Sequence, residues 1–385
     1  MIKETMTREQ RLMTAINLGV PDRVPVAPVV NLFACRQKNA KLVPPSGSGS
    51  DSRYYDEISK ALHDTFDDLG GYDAQNFAYF SMPASSWRVN HPMILNVMPG
   101  TEDIPEDATL QCLERETMAV EDYDKIIARG WNSFCQEYFP REMGVSIEQI
   151  DANQKKLFQS YMTNVEYWKS RGVPVIVGGC CVAVEMILSL GRTLTNFAMD
   201  MHRYPDKVGA VMEAMLPDLI QNTIDDCTAT GIPIVHLVSE RGSAAYWNLD
   251  IFERYIFPPL KKMVEAFVDA GYICELHLDT DWTRNLPYFT ELPKGKCFAQ
   301  LDSITDIFKA KEILKGHMCL WGDVPASLLT LGTPDEVTAY CRKLIDVVGK
   351  DGGFILSTGC ECPIDAKFEN VKAMVDAPKY YNPHV

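Results

Sequence analysis

Residues 272–282, Tyr-Ile-Cys-Glu-Leu-His-Leu-Asp-Thr-Asp-Trp, decide the fold. Side chains along a strand alternate between its two faces, so Glu275, His277 and Asp279 share one face while Cys274, Leu276 and Leu278 share the other. The apolar face suits a layer of helices. The polar face is costly to desolvate unless its residues bind something or pair with one another. A lone His-x-Asp is more often a hydrogen-bonded core histidine followed by a helix cap. The place of this strand in a longer repeat changes those odds.

Five comparable runs surround it: Val173–Val177, Pro233–Val238, Cys297–Leu301, His317–Trp321 and Gly353–Ser357, each followed by polar residues and a helical stretch. That rhythm is the one a parallel β/α sheet requires. Two earlier runs, Val24–Val30, interrupted by Pro25 and Pro28, and the weaker Gln75–Phe80, bring the count to eight, the number that closes a (β/α)8 TIM barrel. A helical and loop extension precedes the barrel. Thr7 and Gln10 form a capping box, and Leu12, Ala15 and Ile16 keep helical spacing up to Gly19. Lys41–Ser52, with its Pro-Pro-Ser-Gly-Ser-Gly-Ser core, reads as a flexible surface loop and a candidate lid. Ser303–Asp306 and Thr333–Glu336 each place a hydroxyl three residues before a carboxylate, which predicts helix starts there, with Pro334 at the favoured first position. No linker divides the pattern, so one barrel domain is expected over residues 1–385.

Composition narrows the function. A formal charge of -15 argues against nucleic acid and anionic membranes, both of which need clustered Lys and Arg. The most apolar stretch, Val173–Leu190, is broken by Pro174, Gly178, Gly179 and Glu185, which disqualifies it as a membrane span. The polar opening residues carry no signal-peptide pattern, so a cytoplasmic protein is expected. Twelve scattered cysteines lack the dense spacing of a disulfide scaffold and fit reduced thiols, and an anaerobic host.

Barrel enzymes place chemistry where strands end, so the polar residues at strand tips are the site candidates. His277 and Asp279 form a metal-binding pair, and Cys360, just past the last strand after Gly359, adds a thiol facing the mouth. The His236–Ser243 cluster ends a strand with Glu240 at the mouth, where it could ligate a metal or hold substrate, although a Glu240–Arg241 surface turn is the competing explanation. Asp302, Asp323, Asn31 and Arg36 follow other strands and divide evenly between site residues and caps. Tyr246, Trp247 and Trp282 could stack on a flat ligand, though such aromatics more often pack loops onto the barrel.

Several motifs resemble the uroporphyrinogen decarboxylase-like barrels. Arg11-Leu12 through Asn17 with Pro21-Asp22-Arg23-Val24-Pro25 resembles that family's opening. Gly322-Asp323-Val324-Pro325, Gly332–Val337 and Gly352–Cys360 leading to Glu369–Met374 continue the match. The propionate-gripping, arginine-rich stretch of porphyrinogen decarboxylases is absent, since residues 31–41 contain Arg36 alone. The chain is instead similar to the family's cobalamin-dependent methyltransferase branch, which holds zinc through a His-x-Cys pair and a later cysteine. His277 and Cys360 fall at matching positions; Asp279 stands where that branch has cysteine, giving a harder site that zinc tolerates and other metals could enter.

The resemblance implies a zinc-dependent transfer of a methyl group between a small substrate (a methyl ether, amine, betaine or thiol) and the cobalt of a corrinoid on a partner protein. The expected metal ligands are His277, Asp279, Cys360 and a fourth group, with Glu240 first choice, then Cys362, and Glu275 also open. His277, Glu240 and Asp279 are the expected catalytic residues, and Asn31, Trp247 and Asp323 the expected cofactor contacts. A homodimer is left open. The rival enzyme is a metal-free decarboxylase or lyase using Arg36, Arg241 and His277 to bind carboxylates, and the rival of another class is a non-catalytic corrinoid-binding barrel.

Overall fold

The computed structural model describes residues 2–40, 52–77, 95–97, 104, 105, 108 and 111–381. A two-stranded antiparallel ribbon, β1 (Asn96–Val97) and β2 (Gln111–Cys112), precedes the main sheet. That sheet has six parallel strands in sequential order: β3 (Gly179–Val182), β4 (Ile234–Val238), β5 (Ile273–Leu278), β6 (Cys297–Leu301), β7 (Cys319–Val324) and β8 (Phe354–Thr358). Helices Val184–Arg192, Pro205–Thr230, Phe257–Asp269, Ile307–Leu314, Pro334–Val347 and Phe368–Tyr380 follow or link them, the β/α alternation expected from the sequence.

The two predicted early strands close the barrel without becoming full strands. Val26 bridges Leu356 on β8, through Ala27 N–H to Leu356 O and Leu356 N–H to Pro25 O, both 2.9 Å. Pro25 and Pro28 have no N–H to donate, which limits this segment to one bridge. Asp73 N–H then bonds Val26 O, and Gln75 bridges Val175, so hydrogen bonding runs from β8 round to the segment before β3. Of the predicted run Gln75–Phe80, residues 78–80 lie outside the described residues. The predicted Val173–Val177 strand is also corrected: its end pairs with Gln75 and Asn76, and the ladder with β4 begins at Gly179. At Gly178 a Cβ would lie 2.1 Å from Ile232 O, so only glycine lets the chain pass.

The capping boxes at Thr7 and Thr333 form as expected, with Pro334 opening its helix, but the first helix is Arg8–Ile16 and stops short of Gly19. The Ser303–Asp306 reading is corrected. The cap is Asp306 itself, accepting from Phe308 N–H and Lys309 N–H, while Asp302 organises the preceding turn through Ile304 N–H. Of the predicted loop Lys41–Ser52, residues 41–51 lie outside the described residues, and Ser52 opens the helix Ser52–Asp68. Among the described residues no helix is long and apolar enough to cross a membrane.

The first helix plugs one end of the barrel. Leu12, Ala15 and Ile16 pack with Ile234, Phe298, Trp321 and Ile355 in one buried cluster. Ile234, Phe298 and Ile355 are each two residues before His236, Gln300 and Ser357, so the inner face changes from apolar to polar toward the carboxyl ends of the strands. A buried ionic knot holds the plug. Arg11 bonds Asp22 and Asp73 at 2.7 Å each, and Arg23 bonds Asp73 at 2.6 Å. Burial alone would raise the Asp22 carboxyl, but its hydrogen bonds from Arg11 and from Thr5 and Met6 N–H hold it down at about 2. This is what the Pro21-Asp22-Arg23 motif does.

Candidate metal centre

Strand β5 places Glu275 and His277 on its inner face, and the chain then turns so that Asp279 stands at the mouth. The turn is held hard. Thr280 has φ +73°, a left-handed conformation that a β-branched residue adopts at a cost. Its N–H bonds Asp302 at 2.7 Å, its carbonyl accepts from Thr305 Oγ1 at 2.8 Å, and its hydroxyl meets that of Ser243 at 2.6 Å. The buried Trp282 indole donates to Asp279 O at 2.8 Å. From the far side of the barrel, Cys360 arrives after β8. Gly359 serves there by close approach, because a Cβ would sit 3.0 Å from Ser303 N.

His277, Asp279 and Cys360 thereby converge, with one ligand atom from each within 4.8 Å of the others. His277 Nε2 lies 3.5 Å from Asp279 Oδ1 and 3.7 Å from Cys360 Sγ, and Cys360 Sγ lies 3.4 Å from Asp279 Oδ2. Glu240 Oε1 is 3.8 Å from His277 Nε2, on a side chain 40% exposed. Zinc–ligand bonds of about 2.0–2.3 Å in a tetrahedron put ligand atoms about 3.3–3.8 Å apart. The distances from His277 Nε2 to Asp279 Oδ1 and to Cys360 Sγ fall in that range, while Cys360 meets the other Asp279 oxygen. Asp279 Oδ1 is buried with no hydrogen-bond partner, which a cation would supply. The donor set of imidazole, carboxylate and thiol fits a zinc ion.

The electrostatics point the same way. Burial disfavours a charged His277 ring, yet Asp279 and Cys360 raise its proton affinity well above the ordinary histidine value. Loss of hydration raises the Cys360 thiol against the pull of His277, and raises Glu240 as well. Three acidic groups thus crowd one imidazole.

The other expectations sort by position. Glu275 is fully buried and bonded to His236 Nδ1 on the neighbouring strand, and it is not one of the three groups that converge. Cys362 is buried, its N–H on Val29 O and its thiol raised far above the ordinary value by burial. Of the three fourth-ligand choices, Glu240 alone is close to His277 Nε2 among the described contacts. The cofactor candidates do not join the trio either. Asn31 bonds Glu361, whose carboxyl burial raises to about 8. Trp247 is buried, its indole donating to Arg241 O at 2.6 Å. Asp323 accepts from Tyr340 at 2.9 Å, and burial raises it to about 8. Asp302 is a turn residue, Arg36 is exposed, Tyr246 is 41% exposed and Arg241 pairs with Glu114 at 2.8 Å.

Sequence reasoning missed two residues. Gln300, on β6 beside His277, accepts the His277 Nδ1–H at 2.5 Å. His236 forms the buried pair with Glu275, and its ring lies 5.2 Å from that of His277. The available signal for Gln300 was a single amide in the otherwise apolar run Cys-Phe-Ala-Gln-Leu.

Fold and motifs together define a uroporphyrinogen decarboxylase-type barrel: the family model for Uroporphyrinogen decarboxylase (URO-D) matches residues 141–381, and the chain belongs to that family. Among characterised relatives, it is similar to the Methylcobamide:CoM methyltransferase MtbA of Methanosarcina acetivorans, 26% identical over 151 residues, which is 39% of this chain and 43% of that protein. It is also similar to the MtbA of Methanosarcina mazei, 24% identical over 175 residues, 43% of this chain and 50% of that protein. The chain thus spans half or less of the length of these relatives. A solved structure of a methyltransferase from Methanosarcina mazei superposes with a TM-score of 0.69 at 15% identity, covering 97% of this chain and 99% of that one, a likeness of fold.

Proposed function

We propose that this chain is a zinc-dependent methyltransferase moving a methyl group between a small substrate and the cobalt of a corrinoid carried by a partner protein. The observation that carries the reading is the convergence of His277, Asp279 and Cys360 from β5 and β8, one ligand atom from each within 4.8 Å of the others, beside a buried carboxylate oxygen that has no hydrogen-bond partner. The similarity to methyltransferases acting on a methylcobamide supports the reaction class.

Bound there, zinc would act as a Lewis acid, favouring the anion of a thiol or phenol that accepts the methyl group or polarising the heteroatom of an ether, amine or betaine that donates it. His277 offers Nε2, Cys360 its sulfur, Asp279 an oxygen and Glu240 a carboxylate that substrate could displace. The three-way anchoring of Thr280 holds Asp279 in place, which limits the reorganisation needed when substrate arrives. The decarboxylase alternative finds less support, since Arg241 is committed to Glu114 and Arg36 faces solvent.

The test follows the cobalt absorption of a methylated corrinoid protein mixed with the enzyme and candidate thiols. Demethylation that stops on zinc removal and returns on zinc addition is expected. Equal rates with and without zinc would reject the role given to the metal.

A further inference from the structure

Two histidines on adjacent strands are anchored in the same way. His236 on β4 bonds Glu275, its register partner on β5, and His277 on β5 bonds Gln300, its register partner on β6. Each contact uses Nδ1, and each acceptor comes from the next strand. The difference is charge. The His236 anchor is a carboxylate; the His277 anchor is an amide, fully buried on a strand whose other residues are apolar.

We infer that Gln300 is a positioning residue that fixes His277 with its proton on Nδ1, so that Nε2 is the nitrogen turned to the metal. The inference rests on the metal reading above and goes beyond it by assigning a residue outside the ligand set. Its physical basis is that an imidazole used as a ligand through one nitrogen must carry its proton on the other, and a fixed acceptor there sets both the tautomer and the ring angle. Gln300 Oε1 is that acceptor at 2.5 Å, and the Nε2 it leaves free faces Asp279 Oδ1 at 3.5 Å and Cys360 Sγ at 3.7 Å. An amide suits this place for a second reason. Asp279, Cys360 and Glu240 already bring acidic groups to the centre and Glu275 acts on His277 from the same strand, so Gln300 accepts the Nδ1 proton without adding a further charge. Gln300 Nε2 is buried without a partner, so the amide is turned to serve the histidine at the expense of its own donor.

The experiment measures zinc affinity of the full chain by competition with a chromophoric chelator, for wild type, Gln300→Met and Gln300→Glu. Gln300→Met keeps the volume and loses the acceptor, and is expected to bind zinc about 10–100-fold more weakly. Gln300→Glu keeps an acceptor and is expected to recover most of that loss. Zinc binding in Gln300→Met within twofold of wild type, with unchanged far-ultraviolet circular dichroism, overturns the inference while leaving the metal reading intact. A wild type that binds no zinc overturns both. A second measurement needs no variant. Nitrogen-15 correlation spectra of the zinc-loaded wild type are expected to show the His277 proton on Nδ1 and ligation at Nε2, and the opposite tautomer overturns the inference.

Discussion

The two ends of this barrel both bury charge, and they handle it in opposite ways. At the plugged end, Arg11 and Arg23 face Asp22 and Asp73, and each buried guanidinium meets a carboxylate of the same chain at 2.6–2.7 Å. At the open end, Asp279, Cys360 and Glu240 gather round His277, and Asp279 Oδ1 has no hydrogen-bond partner. The first arrangement supplies its own cations and is structural. The second gathers acidic groups round a single imidazole, and it is there that we propose a cation binds.

The comparison breaks most visibly at Asp73. Asp73→Ala removes the carboxylate shared by two buried arginines, leaving Arg11 with Asp22 and Arg23 with Glu4, and should cost about 3 kcal/mol in denaturant unfolding, while the folded fraction keeps wild-type zinc affinity. Loss of metal affinity in the folded variant would mean that the two ends are not separable.

Zinc itself sharpens the contrast. At a free concentration 100 times its Kd it should stabilise the wild type by about 2.7 kcal/mol, and should leave His277→Ala unmoved. A similar shift of melting temperature in both proteins would point to binding elsewhere.

A smaller effect tests a buried carboxyl at neither end's ion cluster. Burial raises Glu185, which accepts from Ser239 Oγ at 2.5 Å, from 4.5 to about 7. The folded state therefore holds this proton more tightly than the unfolded chain, so its contribution to stability is full below pH 4.5 and is lost as pH rises through about 7. Glu185→Gln should gain on the wild type by roughly 1–3 kcal/mol between pH 5 and pH 8. A stability gap independent of pH would contradict that assignment.

Legibility followed periodicity. The run 272–282 was readable because its period-two alternation puts Glu275, His277 and Asp279 on one face, and the convergence of Cys360 upon His277 and Asp279 follows from barrel closure. The early strands were legible as apolar runs, but their prolines hid how little pairing they would make. Cross-strand register was not legible at all. It decides that Glu275 meets His236 and that Gln300 meets His277, because partners 39 and 23 residues apart carry no local signal. Trp247 sits past a strand tip as expected from the sequence, whereas Asp323 lies within β7, which runs on to Val324 past the expected end at Trp321. A loop carbonyl takes up the Trp247 indole N–H and a helix tyrosine one Asp323 oxygen.

The central claim is a zinc site built from His277, Asp279 and Cys360, and zinc-edge X-ray absorption of the metal-loaded chain tests it most directly. The account predicts one zinc per chain with a single sulfur near 2.3 Å and nitrogen or oxygen ligands at about 2.0–2.2 Å, the sulfur signal vanishing in Cys360→Ala. Absence of bound zinc, or a sulfur shell unchanged in Cys360→Ala, would contradict it.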